Sequence, residues 1–100
     1  MKYNKLIRDK IPEHIKNKGG VPFTHIADEK EYWQKLKEKL SEEVEEFKKD
    51  ENIEELADVF EVIDAVIDYK RFNKAEIETL KEKKAEEKGR FKKRIILDES

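Results

Sequence analysis

The sequence has no cysteine, two prolines, three glycines and one tryptophan among 100 residues. Without cysteine there is no disulfide framework and no thiolate zinc site, and a reducing cytoplasm is the expected location. So few prolines and glycines leave no room for long flexible linkers, and residues 1–100 are expected to form a single domain. No uninterrupted apolar run exceeds three residues, with Ile95–Leu97 as one example, so no segment is expected to span a bilayer and no membrane partner is expected. The first dozen residues, MKYNKLIRDKIP, lack the apolar stretch of a signal peptide. Charge of one sign is also lacking. The 23 basic and 25 acidic residues nearly cancel, which argues against a polyanion binder and makes nucleic acid an improbable partner.

What the chain has in abundance is charge of both signs. Lys, Arg, Asp and Glu make up 48% of it, against about a quarter in an ordinary domain. Leu, Ile, Val and Phe supply 26 residues, enough for one thin core. Oligomerisation would supplement it.

The periodicity predicts an all-α chain. A short helix begins around Pro12, carries Ile11 and Ile15 four apart, and stops at Gly19-Gly20. Val21–Ile26 reads as an extended connector or short edge strand. Asp28 with Glu31 forms a cap for a long helix over about 29–49, whose stripe is Trp33, Leu36, Leu40, Val44 and Phe47. A turn follows at 49–52. A second long helix, about 53–71, carries two apolar stripes: Ile53, Leu56, Phe60, Ile63 and Ile67, and then Val59, Val62, Val66 and Tyr69. Two stripes require burial on two sides, and in so short a chain the second side is expected to meet another subunit. Asn73 with Glu76 caps a further helix, about 74–88, ended by Gly89. The tail 90–97 reads as extended. The expected architecture is two long antiparallel helices plus shorter ones, with short extended segments near both ends, assembled as a homodimer or homotetramer.

Two acidic pairs flank the central turn. Glu43 and Glu46 lie three apart on the first long helix, and Glu55 and Asp58 three apart on the second. That spacing puts each pair on one helix face. In an antiparallel hairpin, facing residues share one index sum, and this matches Glu46 with Glu55 and Glu43 with Asp58. Four carboxylates at two matching levels repel unless a cation joins them, and Mg²⁺ or Mn²⁺ prefers such hard oxygen ligands. Acidic pairs of this spacing are also common on solvated faces. Rotation favours the site: at about 100° per residue, Glu55 and Asp58 continue the stripe of Val62, Val66 and Tyr69. Glu43 flanks the stripe of the first helix. Glu42 and Glu45 point more nearly outward and read as solvent residues, and Glu61 is placed as an auxiliary acid. Asp64 and Asp68 are expected to pair with lysines. Trp33, Phe47 and Tyr69 fit core packing better than stacking on a base. His14 and His25 are expected to be structural or exposed.

The run Glu42-Glu43-Val44-Glu45-Glu46 followed by Glu55-Leu56-Ala57-Asp58 resembles the acidic motif of the MazG-like all-α nucleoside triphosphate pyrophosphohydrolase superfamily. Two outlying stretches, Lys5-Leu6-Ile7-Arg8-Asp9-Lys10-Ile11-Pro12 and Gly89-Arg90-Phe91-Lys92-Lys93-Arg94-Ile95, are similar to the ends of its small phosphoribosyl-ATP pyrophosphohydrolase-like branch. The resemblance spans nearly the whole chain. It implies that Glu43, Glu46, Glu55 and Asp58 hold Mg²⁺ and act as the catalytic acids. It also implies that a nucleotide substrate is cleaved between its α- and β-phosphates, giving a monophosphate and pyrophosphate in house-cleaning of nucleotide pools. Cations must clamp the remaining phosphate oxygens. The candidates are Arg8 and Lys10 near the start, with Lys5 beside them, and Arg90, Lys93 and Arg94 near the end. One departure stands out: eight residues, 47–54, separate the two acidic pairs, fewer than the wider family carries, which shortens the loop that shapes a base pocket. The competing expectation is a catalytically inactive helical homo-oligomeric module that binds a nucleotide or a protein.

Overall fold

A computed structural model describes residues 4–100. Four helices follow one another: α1 (Ile11–Asn17), α2 (Glu29–Asp50), α3 (Ile53–Lys70) and α4 (Lys74–Lys88). No strand forms among the described residues, so Val21–Ile26 is a connector without sheet pairing. The tail beyond Arg94 has no regular structure either.

The helix starts follow from local chemistry. The Asp28 side chain accepts a hydrogen bond from the Glu31 backbone N–H at 2.8 Å, Asn52 from Glu55 at 2.9 Å, and Asn73 from Glu76 at 3.1 Å. Each satisfies one of the amide groups that a helix N-terminus leaves without an internal partner. The ends are equally local. Glu51 closes α2 in the left-handed region (φ 40°), with its N–H bonded to the Phe47 carbonyl. Arg71 does the same for α3 (φ 58°), and the Phe72 N–H reaches back to the Ile67 carbonyl in a Schellman-type closure.

Glu51 and Asn52 alone link α2 to α3. So short a link returns α3 antiparallel along α2, and this hairpin holds the core. Leu36 is 1% exposed, and Val59 and Val62 are the other buried apolar residues. Val66 and Tyr69 continue their face of α3, half-buried, toward Trp33 and Leu40 on α2. At the open end of the hairpin, Trp33 stacks on Tyr69 with ring centroids 5.1 Å apart, Tyr32 meets Tyr69 edge-on, and the Tyr69 hydroxyl donates to the Glu29 carbonyl. Lys37 and Lys70 lie over the Trp33 ring.

The two stripes of α3 therefore have different fates. The one with Val59, Val62, Val66 and Tyr69 packs against α2. The other stays open along most of its length, with Ile53 79% and Phe60 59% exposed and Leu56 and Ile63 also accessible. Helix α4 buries no residue, and only Ile77 and Ala85 are half-covered. The radius of gyration is 18.0 Å, against about 13 Å for a compact chain of this length. The excess reflects α4 and the tail standing away from the hairpin core.

Candidate metal centre

The carboxylates gather beside the central turn. Glu43 from α2 and Glu55 and Asp58 from α3 each bring a carboxylate oxygen within 4.8 Å of the others, and all three residues are half-buried. Two helix faces create this cluster. The two-residue link sets the height of α3 against α2, and the stripe that buries Val59 and Val62 turns Glu55 and Asp58 inward with it.

Glu46 meets Glu55, the partner that the index sum gives it, but not Glu43 and Asp58 as well. It groups with Asp50 and Glu55, again within 4.8 Å, in a second set that shares Glu55 with the first. The expected quartet is thus two triads meeting at one residue. Asp50 is a member that the sequence reading missed. Its signal was available: it lies four residues after Glu46, on the same face of the last turn of α2. Glu61 is exposed and belongs to neither triad.

Crowding shows in the proton affinity of Glu55. Its carboxyl is pushed above the ordinary value, first by partial burial and then by the negative charges of Asp58, Glu46, Asp50 and Glu43. A carboxylate surrounded by four others is a natural place for a cation. The donors fit a hard divalent ion: every one is a carboxylate oxygen, and Mg²⁺ completes its octahedron with water where protein ligands are few.

Basic side chains reach the cluster from two directions. The Arg8 guanidinium lies 2.8 Å from Asp58 Oδ1, and Lys5 Nζ lies 3.1 Å from Glu42 Oε1. Lys39 approaches from within α2, 3.4 Å from Glu43 and 3.7 Å from Glu42. Glu42 is therefore half-buried and doubly paired, which corrects its reading as a solvent residue. Glu45 does face solvent, paired with Lys48. Lys39 is a further residue that the sequence reading gave no role, although it lies four residues before Glu43 on the same face of α2.

Of the expected phosphate-binding cations, Arg8 alone is brought onto an acid of the cluster. Lys10 is exposed at the N-cap of α1. Arg90 is held by Glu82 of α4 at 3.0 Å. Together with Lys93 and Arg94 it lines a shallow depression of the C-terminal segment, beside Phe91, Ile95 and Ile96. Asp64 pairs with Lys74 at 3.6 Å, and His25 bonds Glu31 at 2.9 Å. The Trp33–Tyr69 stack lies about 15 Å along the hairpin from the Glu43 level, ten helical residues away.

No family model matches the chain. No solved structure matches it either. A stretch of 43 residues is 44% identical to an uncharacterized protein of Mycolicibacterium smegmatis, covering 43% of this chain and 44% of that protein's length.

Proposed function

We propose that the protein hydrolyses a nucleoside triphosphate, or a related nucleotide, between the α- and β-phosphates in a Mg²⁺-dependent reaction that clears unwanted nucleotides from the cytoplasmic pool. The observation that carries this reading is the half-buried triad of Glu43, Glu55 and Asp58, contributed by two helices and faced by Arg8. Half-buried acids at the edge of a core, one of them with its proton affinity raised by partial desolvation and by its acidic neighbours, would favour a compensating cation. The motif order of the sequence supplies the reaction class.

Glu43, Glu55 and Asp58 would hold Mg²⁺, or Mn²⁺, with Glu46 and Asp50 on the second triad. Such an ion would supply charge neutralisation for the phosphoanhydride and help activate a water. In the hydrolysis a water oxygen would bond to the α-phosphorus as the bond from that phosphorus to the bridging oxygen breaks, pyrophosphate would leave, and a proton of the water would pass to solvent. Arg8, beside Asp58, and Lys39, beside Glu43, would neutralise charge on the phosphate oxygens. The open stripe of Ile53, Leu56, Phe60 and Ile63 supports assembly as a homodimer or homotetramer, which light scattering resolves.

The test is pyrophosphate release from each NTP and dNTP with Mg²⁺, for wild type, Glu43→Gln and Asp58→Asn. Turnover lost in both variants supports the reading. Absence of turnover on every nucleotide, together with no metal-dependent thermal shift, sinks it. A second reading has an observation of its own: Asp58, Glu42 and Glu43 already have basic partners in the chain. A module satisfied in this way would bind a nucleotide or a protein without catalysis, and would assemble through the same stripe.

A further inference from the structure

Two side chains from one short segment straddle the hairpin. Lys5 pairs with Glu42 on α2, and Arg8 pairs with Asp58 on α3. Residues 5–8 have no helix or strand, and the backbone hydrogen bond from the Ile11 N–H to the Arg8 carbonyl ties the segment to α1 and not to the hairpin. The placement rests on the two ion pairs and on Leu6, which is half-buried. Most other ion pairs of the described residues join positions one helical turn apart and hold nothing together at long range.

Asp58 is claimed twice. It belongs to the triad with Glu43 and Glu55, and its Oδ1 is the oxygen that Arg8 grips. A guanidinium and a divalent cation compete for such a carboxylate. The pair is solvent-exposed on both sides, and exposed pairs are weak, worth about a two- to fivefold change in an equilibrium. The arrangement thus offsets one charge of the cluster and yields readily. A guanidinium fits phosphate as well as carboxylate, because its planar fork of donors matches both.

We infer that Arg8 exchanges partners. It holds Asp58 while the cluster lacks a divalent cation, and it passes to the phosphate oxygens of a nucleotide once a cation occupies the carboxylate. Lys5 keeps the segment on Glu42 throughout, so the guanidinium is released beside the phosphates rather than into solvent. The inference rests on the reading of the cluster as a divalent-cation site.

The test compares wild type, Arg8→Gln and Arg8→Lys, each first shown to melt cooperatively. Calorimetric titration with Mn²⁺ alone measures the cation. Titration with the α,β-methylene analogues of the common NTPs and dNTPs, at saturating Mg²⁺, measures the nucleotide without turnover. For Arg8→Gln the two affinities move in opposite directions: Mn²⁺ binds about two- to fivefold tighter, and the analogue at least about tenfold weaker. Arg8→Lys falls between. A merely structural role for Arg8 would weaken both. Mn²⁺ binding that is unchanged or weaker in Arg8→Gln overturns the exchange and leaves the cation site standing. Unchanged analogue binding also overturns it. No Mn²⁺ binding by any of the three proteins removes the cation site, and the exchange with it.

Discussion

Helices α3 and α4 follow one another in the chain and use charge in opposite ways. On α4 the acids meet bases. Glu78 pairs with Lys81 one turn on, Glu82 takes Arg90, and all four side chains are mostly exposed. Such a helix is supported by its own surface and needs no partner to balance it. On α3, although Asp58 also holds Arg8 and Asp64 holds Lys74, two acids are crowded against other acids. Glu55 and Asp58 are carried inward by the stripe that buries Val59 and Val62, and they face Glu43 of α2. The same residue types are unremarkable in one helix and crowded in the next. Position relative to a buried stripe makes the difference, and acidity alone does not.

Paired substitutions separate the hairpin from α4. Leu36→Ala removes the most deeply buried side chain of the hairpin and should cost about 2–5 kcal/mol. Leu80→Ala on α4, half-exposed, should stay within about 1 kcal/mol. Urea unfolding measures both, and equal losses would mean that α4 is packed as tightly as the hairpin. Next in size, Asp58→Asn should lower pyrophosphate release by about 100-fold or more, the scale of a lost metal contact. Glu82→Gln, an acid paired outside the cluster, should leave release unchanged. The caps come third. Asn52→Ala should destabilise the protein by about 1 kcal/mol, because it opens the helix that carries the core. Asn73→Ala should mainly fray α4, visible as faster amide exchange over residues 74–77.

The smallest expected effect sharpens the electrostatic side. The Glu55 carboxyl titrates above 4.5 in the folded chain. The folded state therefore keeps that proton when the unfolded chain has lost it. The contribution of Glu55 to stability is present below 4.5 and is lost as pH rises through its raised value. In metal-free protein, Glu55→Gln should melt slightly higher than wild type at neutral pH and converge with it below 4.5. Thermal melts across that range check the sign. Added Mg²⁺ should reverse the order by stabilising the wild type alone.

Much of the fold was legible because its causes are local. The caps at Asp28 and Asn73, the stop at Gly89 and the heptad-like stripes all lie within a few residues of what they control. The meeting of Glu43 with Glu55 and Asp58 was legible for a related reason: a short link makes height along two helices a matter of counting. Counting also matched Glu46 with Glu55, but it gives no rotation, and rotation is what turned Glu42 toward Lys5 and Lys39. The pairing of Arg8 with Asp58 spans fifty positions through a segment without regular structure, and no periodicity encodes it. The placement of Arg90, Lys93 and Arg94 on their own surface was equally out of reach. Their charge suggested an anion, while the geometry of the tail depends on where α4 leaves the hairpin.

Glu51 adopts a left-handed conformation that most side chains resist, and it does so in a link of two residues. Glu51→Gly should therefore relieve strain without moving the helices. A single inserted residue would be far more disruptive, because it advances α3 by about 100° and 1.5 Å against α2. That step would swing Glu55 and Asp58 away from Glu43 while leaving every helix intact. The link thus acts as a phase setting: this stretch of chain can drift in composition, but its length is fixed.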